Sequence, residues 1–135
     1  MDKIYIIGLG PGNIGSLTSD ALYRLNSGDN IYLRTEKHPT VEYLKMNNIS
    51  YTSYDYVYDE KKNFDDVYSF IAKDLIENVH RYGSINYCVP GNPLLAEKTV
   101  DMLMKLSSDS SYLIEIIPGM SFIDPILIAV GHNPT

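Results

Sequence analysis

The sequence predicts a single α/β domain over residues 1–135: a five-stranded, mainly parallel sheet with helices on both faces. Three observations predict it. A length of 135 residues with 44% apolar and 21% charged side chains suits one globular domain with a real core. Five short apolar runs alternate with helical patterns, the order that builds βαβ units. The runs end abruptly in Gly- and Pro-rich turns, as strands buried between helices do.

Each element has its own reason. Ile4 to Ile7 is the first strand, closed by Gly8-Leu9-Gly10-Pro11-Gly12. Thr18 caps a helix that carries Ala21, Leu22 and Leu25 on one face and ends near Gly28. Asn30 to Arg34 is the second strand, and His38-Pro39 opens a short helix with Pro39 at its first position, closed by Asn47-Asn48. Ile49 to Tyr54 reads as the third strand, followed by an acidic, tyrosine-bearing loop from Asp55 to Lys62. Asn63 caps a long helix with Val67, Ile71, Leu75 and Val79 on one stripe, stopped by Gly83. Ile85 to Val89 is strand four, Leu94 to Leu106 a helix, and Tyr112 to Ile117 strand five. Ser121-Phe122-Ile123-Asp124 forms a capping box before a last apolar helix. That helix is too hydrophobic for a free end, so the chain reads as one lobe of something larger.

Charge excludes some functions. The net charge is -6 and Lys and Arg do not cluster, which argues against a nucleic-acid surface. Cys88 is the only cysteine, so there is no disulfide framework. No signal peptide or membrane-length apolar stretch is visible, and the expectation is a soluble, cytoplasmic protein. His38, His80 and His132 lack metal-ligand spacing, and no metal site is expected. The 12 tyrosines, many between Tyr51 and Tyr58, read as packing rather than a stacking platform.

The chemistry belongs at the carboxyl ends of the strands, where open parallel sheets bind ligands. Gly8 to Gly12, Arg34 to His38, Asp55, Pro90 to Pro93 and Pro118 to Ser121 all fall there. The first loop fails the dinucleotide fingerprint: position 13 is Asn13, and Pro11 removes an amide that a phosphate would use. Arg34 keeps an NADP-binding domain open through a 2′-phosphate. There is no P-loop and no nucleophile elbow. Pro-Gly-Asn-Pro and Pro-Gly-Met-Ser offer carbonyls and small surfaces, a wall for a flat, cationic or neutral ligand rather than a polyanion.

Gly8-Leu9-Gly10-Pro11-Gly12 with Leu17-Thr18 resembles the G-x-G-P-G opening of the tetrapyrrole (corrin/porphyrin) methylase family. Val89-Pro90-Gly91-Asn92-Pro93 resembles the family's G-D-P type loop, with Asn92 in place of Asp. Ile117-Pro118-Gly119-Met120-Ser121 resembles its P-G-x-[ST] loop. Arg34 to Pro39, Pro90 to Val100 and Ser121 to Pro125 are similar to the branch fused to MazG nucleoside triphosphate pyrophosphohydrolases. The resemblance implies an S-adenosylmethionine-dependent methyltransferase of two lobes, this chain being the N-terminal one. It lacks the C-terminal lobe and any MazG domain, and is expected to be inactive alone. Cofactor contacts carried over by position are Pro11, Pro90, Gly91, Asn92, Leu95, Ser121 and Phe122. The implied partners are a small-molecule methyl acceptor, a second copy in a homodimer, and a fused or associated MazG-type pyrophosphohydrolase. Arg34 stands where uroporphyrinogen-type members carry an acidic residue, so the catalytic group is left open. It is expected to meet an acidic group of the substrate or a carboxylate across the lobe interface. A different class also stays open: a non-catalytic docking or regulatory module for the fused enzyme.

Overall fold

Strand β4 (Ile85–Val89) is buried along its whole length, and the sheet extends outwards from it. The computed structural model describes residues 2–28, 30–93, 97–107 and 112–120. Its sheet has the order β3-β2-β4-β1-β5, with β1 at Lys3–Gly8, β2 at Ile31–Leu33, β3 at Thr52–Ser53 and β5 at Leu113–Ile117. Every pairing between these strands is parallel, with Ile4 beside Ile85 and Gly8 beside Val89. Parallel strands need crossovers, and those put helices on both faces.

The alternation of side chains along each strand divides the core in two. Ile4, Ile6, Ile85, Tyr87 and Val89 point to one face. There they pack with Val57 of α3 (Asp55–Glu60), Ile71 and Leu75 of α4 (Phe64–Tyr82), and Leu103 of α5 (Lys98–Ser107). Ile7, Ile31, Leu33 and Cys88 point to the other, against Leu25 of α1 (Ser19–Ser27) and Leu44 of α2 (Val41–Met46). Burial pushes the Cys88 thiol up to about 12, so it is an inert core group.

The helix signals hold where their hydrogen bonds can be read. The Thr18 hydroxyl accepts the Ala21 N–H at 3.1 Å, and the Asn63 side-chain Oδ1 accepts the Asp66 N–H at 2.9 Å. Gly83 ends α4 at φ 85°, a conformation that favours glycine. Strands one, two and five shift by a residue at one or both ends, and four elements differ more from the sequence reading. Pro39 sits in a turn, and α2 begins at Val41. Strand three shrinks to Thr52–Ser53, which pairs with Tyr32 and Leu33 of the short β2. The acidic stretch after it is largely the helix α3, anchored by buried Tyr54 and Val57. Helix α5 starts at Lys98 rather than Leu94; residues 94–96 and the capping box at 121–124 lie outside the described residues.

Tyr32, Tyr54 and Tyr87 are packing groups. Tyr54 is fully buried, stacks on Tyr32 at 6.0 Å, meets Tyr87 edge-on at 6.2 Å, and donates to Asp74 at 2.6 Å. Among the described residues, no helix is long and apolar enough to cross a membrane.

Candidate functional site

The strand order sets the site. The chain leaves β1 towards β2 over one face and leaves β4 towards β5 over the other, so a crevice opens between the ends of two adjacent strands. The two loops at that crevice are tied together. Leu9 N–H donates to the Val89 carbonyl at 2.8 Å. Gly10 and Gly91 then exchange a pair of bonds, N–H to carbonyl at 3.2 Å and 2.9 Å, in an antiparallel bridge. Both glycines have positive φ, 72° and 67°.

The third loop is fitted against these two by the absence of side chains. A Cβ on Gly119 would lie 2.4 Å from the Gly91 carbonyl oxygen and 2.8 Å from the Gly8 carbonyl carbon. A Cβ on Gly8 would meet Gly119 N and Gly91 O at 2.6 Å. Three loops therefore touch backbone to backbone at Gly8, Gly91 and Gly119, leaving no room for a methyl group.

This arrangement places the sequence-predicted residues as follows. Pro11 and Pro90, Gly91 and Asn92 lie on the two bridged loops and are half-buried. Leu95, Ser121 and Phe122 lie outside the described residues. Residues 8–13, 90–93 and 118–120 carry no charged side chain, so the wall neither repels a cation nor compensates a polyanion. That chemistry fits a neutral or cationic ligand better than a polyanion.

Arg34 heads the neighbouring strand end, its N–H bonded to the Cys88 carbonyl at 3.0 Å. Its guanidinium meets a carboxylate of the same lobe, which the sequence reading missed: Nε lies 3.2 Å from Glu97 Oε2. The pair is close but misaligned, and Nε has no hydrogen-bond acceptor among the described residues. Nη1 donates to the Tyr58 hydroxyl at 3.3 Å. Burial pushes the Glu97 carboxyl up, opposed by the Arg34 charge. Burial alone would lower Arg34, but the Tyr58 hydrogen bond and Glu97 raise it, so the cation is held. Arg34, Thr35, Lys37, Asp55, Tyr58 and Asp59 line a cavity of about 310 Å³ beside the pair.

His38 links this region to the crevice. Its Nδ1 accepts the Thr40 N–H at 3.2 Å, so Nε2 carries the proton and donates to the Gly10 carbonyl at 3.0 Å. Burial lowers its pKa; the Gly10 bond opposes that and the Arg34 charge adds to it. No local motif announces either contact. Arg34 and His38 were legible as polar residues near a strand end; Glu97 and these contacts were not.

The geometry can be set beside known proteins. The family model for Tetrapyrrole (Corrin/Porphyrin) Methylases matches residues 3–135. YabN, an uncharacterized protein of Bacillus subtilis (strain 168), is 34% identical over 132 residues, 98% of this chain and 27% of its own length. Uroporphyrin-III-C-methyltransferase from Thermus thermophilus has the same fold, with a TM-score of 0.70 at 20% identity over 99% of this chain and 55% of that one. A uroporphyrin-III C-methyltransferase from that organism, complexed with S-adenosylhomocysteine, superposes with a TM-score of 0.65 at 16% identity, over 95% of this chain and 48% of that one. The chain thus spans about a quarter of its Bacillus relative and about half of each solved enzyme.

Proposed function

We propose that this chain, which belongs to the tetrapyrrole (corrin/porphyrin) methylase family, is the N-terminal lobe of an S-adenosylmethionine-dependent methyltransferase. The observation that carries the reading is the Gly10–Gly91 bridge at the strand-order reversal, which builds an uncharged, rigid wall where open α/β sheets bind ligands. Pro11, Pro90, Gly91 and Asn92 would hold the cofactor, joined by Leu95, Ser121 and Phe122 from outside the described residues.

S-adenosylmethionine supplies, when bound, a methyl group on an already activated sulfur. The protein then has little covalent work to do. Its part is to hold donor and acceptor in line, which is worth several orders of magnitude in effective concentration, and to keep water out. A wall fixed by backbone bonds on three loops suits positioning. Its lack of charge leaves a cationic sulfur unrepelled.

The chain's 27% share of its Bacillus relative supports a longer working protein, with a second lobe completing the cleft. We extend the reading to a homodimer and to a MazG-type pyrophosphohydrolase fused or associated with it; gel filtration and the full reading frame test those two points. Calorimetry of the full-length protein with S-adenosylhomocysteine tests the cofactor. Binding is expected, lost on Gly91→Val, since that residue sits at φ 67° on the wall. No heat from the wild type would sink the methyltransferase reading and favour a docking or regulatory lobe.

A further inference from the structure

We infer that Arg34 is the recognition point for a single carboxylate on a small methyl acceptor, a place that Glu97 fills when no acceptor is bound. This rests on the methyltransferase reading above and names the substrate class of the same cleft.

Arg34 Nε is buried and has no hydrogen-bond acceptor among the described residues, and the Tyr87 and Thr99 hydroxyls, which face each other, find no other partner there. Orphan polar atoms are rare and costly in native proteins. These three fall in one neighbourhood: Arg34 pairs with Glu97, and α5, which follows Glu97 at once, brings in Thr99. Tyr87 lies on β4, two residues above Ile85 in register with β1, and its hydroxyl feels Glu97, Arg34 and Thr99.

The guanidinium is the most under-used of them. Its planar fork is built for two parallel bonds to a carboxylate. Among the described residues it makes only a 3.3 Å bond to Tyr58 and a misaligned 3.2 Å contact to Glu97. Glu97 is therefore a poor occupant of a good site. Burial raises its carboxyl, so it can give up Arg34 to a better-placed ligand by taking a proton.

The adjoining cavity limits what that ligand is. The cavity is an open depression, so its lining bears on the ligand's charge rather than its size, and Lys37 adds a second cation. Asp55 and Asp59 line it too, and Asp55 stays ionised. Burial would raise Asp55, but bonds from Thr35, Glu36 N–H and Ser53 outweigh that and hold it low. A second negative charge on the ligand would face those acids. The acceptor therefore carries one carboxylate, with a neutral or cationic remainder.

The test follows the Arg34 Nε–H NMR resonance in full-length protein during titration with propionate, citrate and inorganic phosphate at fixed ionic strength. Propionate is expected to shift the resonance saturably. Glu97→Gln keeps the shape and frees the guanidinium, so it should bind propionate about tenfold tighter, the scale of an intramolecular competitor removed. Arg34→Lys should lose the binding, with circular dichroism confirming that it folds. Unresponsive wild-type Arg34, unchanged affinity in Glu97→Gln, or tighter binding of citrate or phosphate than of propionate would each overturn the proposal. S-adenosylhomocysteine in the same tube separates the two readings. Its binding beside an unresponsive Arg34 overturns this inference alone, and its failure to bind overturns the methyltransferase reading that names the ligand an acceptor.

Discussion

The two halves of the strand-end rim are held together by opposite means. At β1, β4 and β5 the loops are joined backbone to backbone, with glycines at the contacts and no charged side chain. At β2 and β3 the contacts run through side chains: Arg34 with Glu97 and Tyr58, Asp55 with Ser53 and the Glu36 N–H. A backbone wall has one shape and tolerates no added atom. A side-chain cluster can exchange partners. The first suits a ligand that never varies, the second a ligand that differs between relatives.

The sharpest way to break this contrast is Gly119→Ala. The new methyl would lie 2.4 Å from one backbone oxygen and 2.8 Å from another loop's carbonyl, with no flexible side chain to yield. We expect a loss of about 3 kcal/mol, the upper range for overpacking, read as a lower urea midpoint, together with loss of S-adenosylhomocysteine binding. A variant with wild-type stability would mean the three loops are not wedged as described.

On the other side, Arg34→Met removes a cation and leaves Glu97 buried without its partner. The carboxyl, already raised, can take a proton instead, which keeps the penalty below about 3 kcal/mol, the low end for a broken buried pair. Stability should fall by less than in Gly119→Ala, and cofactor affinity should change less than threefold, within about 0.6 kcal/mol. Equal damage to cofactor binding would erase the distinction between the halves.

The contrast also explains what the sequence made legible. The wall could be read because glycine and proline announce backbone geometry: Gly10, Gly91 and Gly119 stand in short motifs at strand ends. The caps at Thr18 and Asn63 could be read for the same reason, since donor and acceptor lie three residues apart. The side-chain half could not. The Glu97 carboxylate beside Arg34 comes from just before α5, a pairing set by the β2–β4 adjacency and by no local pattern. Helix α3 was hidden similarly. Its acidic, tyrosine-rich residues show no apolar stripe, and the chain coils there because Tyr54 and Val57 are pulled into the core by α4.

His38 spans the two halves, and its titration is the smallest effect and the finest probe of their coupling. Its ring belongs to the β2 side, its proton to the Gly10 carbonyl on the wall. Charging it would place a proton on Nδ1, where the Thr40 N–H already points, so that bond must break. Burial, aided by Arg34, holds the folded pKa below the ordinary 6.5. The unfolded chain therefore takes the proton first. The stabilisation is complete above about 6.5 and is lost as pH falls through the folded value. Urea midpoints of wild type and His38→Gln should converge on acidification across that window, the other histidines cancelling in the comparison. In Arg34→Met the His38 titration, followed by NMR, should move up towards 6.5, because one of the charges opposing protonation is gone. If it does not move, the charged half of the rim does not reach the wall through His38, and the two halves act independently.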